Sequence, residues 1–188
     1  MEREIRCRKF FTQPAEELAE KLLGKIICRR ISEHQVIRFR IIETEAYCHD
    51  DTACHSNKYK SGNGVISQNM IGGTLYVHYD NKAYAGSSFD IVANQERVGE
   101  GVLIRGGVNV DDPNERYASM PRLLGEALQI DYSSLNREDL LTSEKIWITD
   151  DEFDIQNRVQ RQKRIGLENA KDITTEDKER LLRFTLCS

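Results

Sequence analysis

The stretch from Ile37 to Tyr47, IRFRIIETEAY, alternates in the way that a half-buried β-strand does. Its odd positions carry three apolar side chains, then two acidic ones and a tyrosine: Ile37, Phe39, Ile41, Glu43, Glu45 and Tyr47. The apolar residues mark the odd face as the one that looks into a core. The alternation therefore predicts that Glu43, Glu45 and Tyr47 lie on that same inward face.

Carboxylates on a face that looks into a core are unusual, because burying a charge costs several kcal/mol unless a partner compensates it. Two of them in succession predict a pocket, where desolvation raises the pKa of a carboxylate toward the range that a general base needs. Two other interpretations stay open at this point. In the first, both glutamates pair with arginines in a purely structural role. In the second, the strand has already left the core at this point and the glutamates face solvent.

Length and composition favour one domain with a core of its own. The chain has 188 residues, no apolar run of membrane length and no signal-peptide pattern, so we expect a soluble, cytoplasmic protein. Its five cysteines include no CxxC pair, which fits a reducing compartment. The formal net charge of −4 is of the wrong sign for non-specific binding to nucleic acid. It lowers the expectation of a DNA partner without excluding one.

The order of the predicted elements indicates an α+β fold. A helix is predicted to begin at Thr12–Pro14, with Thr12 as its N-cap, and to end at Gly24. Strands are predicted at residues 25–31, 37–47, 73–79, 89–93, 101–105, 145–149, 158–166 and 182–186, and helices at 123–130 and 174–180. Residues 49–73 have no apolar period and are predicted to form a long loop. The strands at 25–31 and 37–47 are predicted to form a hairpin, and the strand at 89–93 is predicted to return antiparallel to the one at 73–79. Because most strands follow one another directly, we expect an antiparallel sheet.

That loop carries two Cys-His pairs, Cys48-His49 and Cys54-His55, which suggest zinc. Structural zinc sites favour gaps of about two to four residues between cysteines and a second pair elsewhere in the chain. Neither condition is met here, so we predict no metal.

Several motifs, taken together and in order, are more specific than any one of them. They are Phe10-Phe11, Leu22–Ile26, Ile42–Tyr47 (IETEAY), Asp51–Ser56 (DTACHS), Gly73–Val77, Val102–Arg105, Arg164–Gly166 and Leu182–Phe184. In this order they resemble the alkyladenine (3-methyladenine) DNA glycosylase family from end to end. ETEAY followed closely by A-x-H-S is the most specific part of the resemblance.

The resemblance implies a single compact domain over residues 1–188, with a curved, mainly antiparallel sheet and flanking helices. It also implies monofunctional hydrolysis of the N-glycosidic bond of alkylated or deaminated purines, without metal or other cofactor. The expected partner is double-stranded DNA that contains damaged purines, and the expected state is a monomer with no membrane association. The expected location is the cytoplasm, with the nucleoid if the source is bacterial.

The resemblance also implies roles for individual residues. Glu45 matches the glutamate that activates the attacking water, and Arg105 matches an arginine that supports the electrostatics of the site. Tyr47 and His55 match residues of the base pocket. The chemistry fits, because a carboxylate near an oxocarbenium-like transition state stabilises positive charge and accepts a proton from water. The base must also leave the stack, and aromatic faces replace the stacking that it loses.

The sequence departs from the family in the loop after the strand at 73–79. The family usually has an aromatic wedge at the tip of this loop, and the aligned position falls near Asn81. Tyr79 or Tyr84 is the candidate replacement for the wedge, and Lys82 is a candidate contact to a phosphate.

Two pocket positions depart as well. His78 stands where the family commonly has a second stacking tyrosine, and it is equally compatible with an ordinary strand histidine. Asp90 replaces an asparagine that helps the family to reject normal guanine. A carboxylate accepts a hydrogen bond from the guanine amino group and favours cationic bases, so we expect better tolerance of 7-methylguanine than in the relatives.

Two further family segments, a threonine-proline-arginine sequence and a glycine-proline-glycine-lysine turn, are absent. The corresponding residues are Val65–Gln68 and Ser119–Leu124, which weakens the expected DNA-facing surface. Two alternatives to a glycosylase therefore stay open. One is a divergent protein that binds damaged DNA with weak or no excision, and the other is a hydrolase of nucleosides or single strands.

Overall fold

The computed structural model describes residues 2–58, 61–79, 87–112 and 118–187. In these ranges nine strands form one antiparallel sheet. They are β1 (Arg3–Glu4), β2 (Ile26–Ser32), β3 (Gln35–Tyr47), β4 (Leu75–Val77), β5 (Phe89–Ala93), β6 (Glu100–Asn109), β7 (Ile146–Asp150), β8 (Val159–Gln162) and β9 (Arg183–Leu186). The helices are α1 (Arg8–Phe11), α2 (Ala15–Leu22), α3 (His55–Lys58), α4 (Asn63–Gln68), α5 (Pro121–Ala127), α6 (Tyr132–Leu135) and α7 (Thr175–Glu179). The expected α+β class with a curved, mainly antiparallel sheet is confirmed.

The long strand β3 is the centre of the sheet. The strand order is β1-β7-β2-β3-β6-β5-β4, and β9 pairs with both β3 and β8. One edge of β3 pairs along its length with β6, while β2 and then β9 follow one another along the opposite edge. Glu45 therefore has paired strands on both sides, Leu103 of β6 and Arg183 of β9, while Tyr47 pairs with Gly101 of β6.

Helix α2 covers one face of this centre. Its buried residues, Ala15, Leu18, Ala19 and Leu22, recur with the helical period and join the main apolar core. The helix stops before Gly24, whose φ of +80° is one that glycine adopts without strain. The predicted N-cap is wrong, because Pro14 is the N-cap and makes no side-chain hydrogen bond there. The buried Glu100 carboxylate accepts the free N–H of Ala15 instead, at 2.8 Å.

A β-bulge interrupts β3 just before its acidic residues. Ile41 pairs with Gly107 and Glu43 pairs with Gly106, so Ile42 has no partner on β6. An unpaired residue shifts the alternation of side chains by one position. The face that looks into the apolar core therefore changes from odd to even residues at this point.

The prediction that the two glutamates and the tyrosine share the core-facing side of Ile41 is wrong for this reason. After the bulge it is Ala46 that joins the apolar core, and Thr44 Oγ1 donates to the Ala19 carbonyl of α2 at 2.9 Å. Glu45 and Tyr47 lie on the opposite side of the strand. That side is also buried, so the carboxylates are enclosed as expected. They are not enclosed by the apolar core that packs on Ile41, which was the reason for expecting it.

Residues 49–73, predicted as one long loop, contain α3 and α4. Both helices are short and polar, which is why no apolar period marked them. Cys54 is fully buried and its Sγ lies 3.2 Å from the Gly99 carbonyl, which ties α3 to the start of β6. This anchor fixes His55, the first residue of α3, relative to the sheet.

In the described part of the chain no helix is both long and apolar enough to span a bilayer. The single domain over residues 1–188 stays a prediction, although one sheet joins strands from Arg3 to Leu186.

Candidate active site

Glu45 is enclosed by protein on every side. Its exposed fraction is 0%. Its Oε1 accepts the backbone N–H of Ile165 at 2.8 Å, and its Oε2 accepts the Tyr47 hydroxyl at 2.9 Å. Burial raises the pKa of the Glu45 carboxyl, and the nearby Arg105 and these hydrogen bonds offset only part of that effect. The result is an ionisable base whose proton affinity exceeds that of an ordinary glutamate.

Arg105 links Glu45 to its neighbour Glu43. Its Nη1 lies 3.3 Å from Glu45 Oε2 and its Nε lies 3.1 Å from Glu43 Oε1. Arg183 of β9 approaches the same Glu43 oxygen at 3.7 Å. Glu43 thus pairs with two arginines, which is the structural role that the sequence left open for both glutamates.

A cavity of about 260 Å³ opens beside Tyr47. Its volume lies just below the range of roughly 300–1,000 Å³ that is typical of small-molecule sites. It is lined by Tyr47, Ala53, His55, Gln68, His78, Asp90, Leu103, Gly166, Leu167, Ala170 and Ile173. Leu103 is the cross-strand partner of Glu45, so the two side chains lie next to each other on the same face of the sheet, and the carboxylate borders the cavity through Leu103 and Tyr47. All four predicted base-pocket residues meet in this cavity.

The side chains of His55, His78 and Tyr76 contact one another at one side of the cavity. His55 Nδ1 lies 2.9 Å from the Tyr76 hydroxyl. The His78 ring packs on the Tyr76 ring at 4.4 Å between centroids and on the His55 ring at 5.3 Å. Sequence reasoning did not give Tyr76 a role, although its motif (GTLYV) formed part of the resemblance.

His78 and Asp90 form a close pair. His78 Nε2 lies 2.8 Å from Asp90 Oδ1, and the Asp90 side chain is almost fully buried. Burial lowers the pKa of His78, but the charge and hydrogen bond of Asp90 more than offset this, so the pKa is raised above its usual value. One Asp90 oxygen is therefore already engaged, which the sequence alone did not indicate. Better tolerance of 7-methylguanine stays a prediction.

The segment after β8 closes the site from outside, and sequence reasoning gave it no role. Arg164 is buried, donates to the Ala46 carbonyl at 3.0 Å and forms an ion pair with the buried Asp51. Its guanidinium lies 4.8 Å from the centroid of the Tyr47 ring. Arg164 thereby positions both the Tyr47 ring and the backbone N–H of Ile165 that binds Glu45.

Asp177, at the start of α7, anchors the far end of this segment. Its Oδ2 accepts the hydroxyls of Thr52 at 2.6 Å and Thr174 at 2.7 Å. Burial alone raises the pKa of Asp177, but the hydroxyl donors outweigh it and lower the pKa to about 2. A lowered pKa stabilises the fold above the ordinary pKa of about 3.8, and this contribution is lost as the pH falls toward 2.

We therefore expect Asp177→Asn to lower the free energy of unfolding by about 2 kcal/mol at neutral pH. Urea unfolding at several pH values checks this. The difference from the unmodified protein should shrink as the pH falls below about 4. A difference that stays constant over this range contradicts the assignment.

The predicted DNA-contacting residues are only partly described. Tyr79 is 69% exposed and contacts the Tyr132 ring at 5.2 Å, so its side chain is available at the surface. Asn81, Lys82 and Tyr84 lie outside the described residues.

The two Cys-His pairs point to different partners. His49 Nδ1 lies 2.6 Å from Glu100 Oε1, while His55 contacts Tyr76 and Cys54 contacts Gly99. Over residues 2–58, 61–79, 87–112 and 118–187, no three His, Cys, Asp or Glu side chains come together as metal ligands.

Comparison with known proteins supports the resemblance seen in the motifs. The family model described as methylpurine-DNA glycosylase matches residues 9–187. A protein of Encephalitozoon cuniculi named "Probable DNA-3-methyladenine glycosylase" is 32% identical over 184 residues, which cover 91% of this chain and 84% of that protein. Two bacterial proteins are provisionally named 3-methyladenine DNA glycosylases. The one from Psychrobacter cryohalolentis is 29% identical over 196 residues, covering 93% of this chain and 88% of that protein. The one from Chlorobium phaeobacteroides is 43% identical over 107 residues, covering 55% of this chain and 52% of that protein.

Proposed function

Because the chain belongs to the methylpurine-DNA glycosylase family, we propose that it excises damaged purines from double-stranded DNA. The reaction is hydrolysis of the N-glycosidic bond. The substrates are alkylated purines such as 3-methyladenine and 7-methylguanine, and deaminated purines such as hypoxanthine. One observation carries the proposal: the fully buried Glu45 carboxylate accepts a hydrogen bond from a tyrosine that lines a cavity of about 260 Å³.

Glu45 is proposed to accept a proton from the attacking water. Its raised pKa makes it a better base than an exposed glutamate, and a positioned base contributes about 10²–10⁴-fold to rate. The same charge stabilises the oxocarbenium-like sugar that forms as the base departs. Arg105, 3.3 Å away, keeps the carboxylate oriented and favours its ionised form.

The cavity is proposed to hold the purine after it leaves the DNA stack. The aromatic rings of Tyr47, His55 and His78 belong to residues that line this space. Aromatic faces compensate for lost stacking by about 1–3 kcal/mol per base. A cationic alkylpurine gains further from the electron-rich face of a tyrosine.

We also propose that the enzyme is monofunctional and acts as a monomer in the cytoplasm, with water as the nucleophile and without a cofactor. A glycosylase that also cleaves the strand typically uses an amine to form a Schiff base. The described residues that line the cavity include no lysine.

The test is base release from a duplex oligonucleotide with one hypoxanthine and from methylated duplex DNA. We expect free base and an abasic strand that breaks only after heating in alkali. Tight, salt-sensitive duplex binding without base release would instead favour the damaged-DNA-binding protein. Faster release from free nucleoside or single strands than from duplex would favour the nucleoside hydrolase.

A further inference from the structure

We propose that the His78–Asp90 pair is a specificity element that makes the cavity select cationic alkylated purines over neutral damaged purines, to an extent that increases with pH. This inference rests on the proposed function, because it concerns the same cavity. It is carried by geometry: both side chains line the cavity, and their nitrogen and oxygen atoms are 2.8 Å apart.

The pair gives the cavity two charge states. With His78 protonated, the imidazolium and the Asp90 carboxylate cancel, and the pair is neutral. With His78 neutral, the pair carries one negative charge. The two states interconvert by gain or loss of one proton on the imidazole, and Asp90 raises the pKa of that imidazole above its ordinary value.

Other titratable groups around His78 come from each neighbouring element. Tyr76 of β4 packs on its ring, His55 of α3 contacts its ring edge, and Asp90 of β5 is its hydrogen-bond partner. Of these described neighbours, Asp90 supplies the negative charge and His55 is the second imidazole that faces the cavity. The experiment must therefore separate the titration of His78 from that of His55.

The charge state matters because the two lesion classes differ by one unit of charge throughout the reaction. A cationic purine such as 3-methyladenine begins positive and leaves neutral. A neutral purine such as hypoxanthine begins neutral and gains negative charge as it leaves. At every stage in the cavity the cationic lesion is the more positive of the two, so a negative pair lowers its barrier relative to that of the neutral lesion when both barriers are measured from the lesion still stacked in DNA.

The structure also explains why aspartate and histidine occur together. A buried carboxylate beside a base pocket is costly when it has no partner. His78 contacts Oδ1 of Asp90. The other oxygen, Oδ2, faces Gly101, where an added Cβ atom would lie 3.5 Å from it. The hydrogen bond with His78 thus stabilises the charged Asp90 carboxylate in the wall of the cavity.

The experiment compares single-turnover excision of 3-methyladenine and of hypoxanthine from duplex DNA at enzyme concentrations below saturation, which gives kcat/KM for each lesion, from about pH 6 to about pH 8. We expect the ratio of the two rates to increase by about tenfold over this range. Titration of Glu45 affects both lesions and cancels in the ratio. 3-Methyladenine is preferred to 7-methylguanine as the cationic probe, because the latter loses a ring proton near neutral pH.

Two variants separate the contributions. Asp90→Asn should lower the ratio by about tenfold at the upper end of the pH range. His78→Gln should remove most of its pH dependence, whereas a dependence that survives in His78→Gln belongs to His55 and overturns the proposal. Glu152→Gln is the matched control, since it removes the same charge at an exposed position in the turn after β7 and should leave the ratio unchanged.

A measurement independent of activity uses the four histidines of the chain. NMR titration of the free protein, with His78→Gln to assign the signal, should show that Asp90→Asn lowers the His78 pKa. An unchanged pKa or a flat ratio in an active enzyme overturns this inference alone. Absence of any base release overturns the proposed function together with it.

Discussion

Replacement of Glu45 by glutamine is expected to lower single-turnover excision of 3-methyladenine from duplex DNA by about 10²–10⁴-fold. Glutamine has nearly the same shape and still accepts a hydrogen bond from the Ile165 N–H, but it cannot take a proton from water. It also removes the negative charge that stabilises the developing oxocarbenium ion. Single-turnover kinetics isolate this chemical step from product release.

Glu43→Gln is the matched control for this experiment. Both glutamates are buried on β3 and both contact Arg105, but Glu43 also pairs with Arg183, whereas Glu45 accepts the hydroxyl of Tyr47, which lines the cavity. We expect it to lower the rate by about tenfold or less, through looser placement of Arg105. Equal losses in the two variants would mean that neither carboxylate is the base.

The pH dependence supplies a second check on Glu45. Excision requires the ionised carboxylate, so the rate should fall as the pH decreases through a pKa that burial raises above the ordinary 4.5. Glutamine has no carboxyl group that titrates in this range. The residual rate of Glu45→Gln should therefore not fall in the same way at acidic pH. An acidic limb that persists in Glu45→Gln assigns the titration to another group.

The sequence predicted the large features of the fold because they follow from apolar periodicity. The hairpin of β2 and β3, the pairing of β4 with β5 and the helix α2 all appear near their expected positions. The bulge at Ile42 was not predictable, because an unpaired residue leaves no trace in a single sequence when both faces of the strand are buried. The alternation of residues therefore predicted the wrong face of β3 for Glu45, although its prediction that Glu45 is buried is correct.

In the candidate site, too, the sequence predicted some features and not others. Glu45, Tyr47 and His55 lie within short motifs, so the resemblance could assign them individually. The contact of Ile165 with Glu45 joins residues far apart in the chain, and no local pattern encodes that proximity. The His78–Asp90 pair is intermediate, because the pairing of β4 with β5 was predicted but the close approach of the two side chains was not.

Arg164→Met is expected to lower the free energy of unfolding by about 3–5 kcal/mol, because it leaves the buried Asp51 carboxylate without its partner. Both side chains of this pair are fully enclosed, so water cannot replace the guanidinium. The variant also removes the cation beside the Tyr47 ring and the donor to the Ala46 carbonyl. We therefore expect weaker binding of the extruded base even at temperatures where the variant is folded. Urea unfolding and single-turnover kinetics measure the two effects.

Two further variants identify the buried charge as the cause. Arg161→Met removes an arginine from exposed pairs with Glu16 and Glu20, and it should cost less than about 1 kcal/mol. The double variant Asp51→Asn/Arg164→Met removes both buried charges, so it should be more stable than Arg164→Met alone. If instead the double variant is less stable than Arg164→Met, the cost comes from lost packing and hydrogen bonds of Arg164. The segment after β8, which contains Ile165, is then held in place by those contacts rather than by the Arg164–Asp51 ion pair.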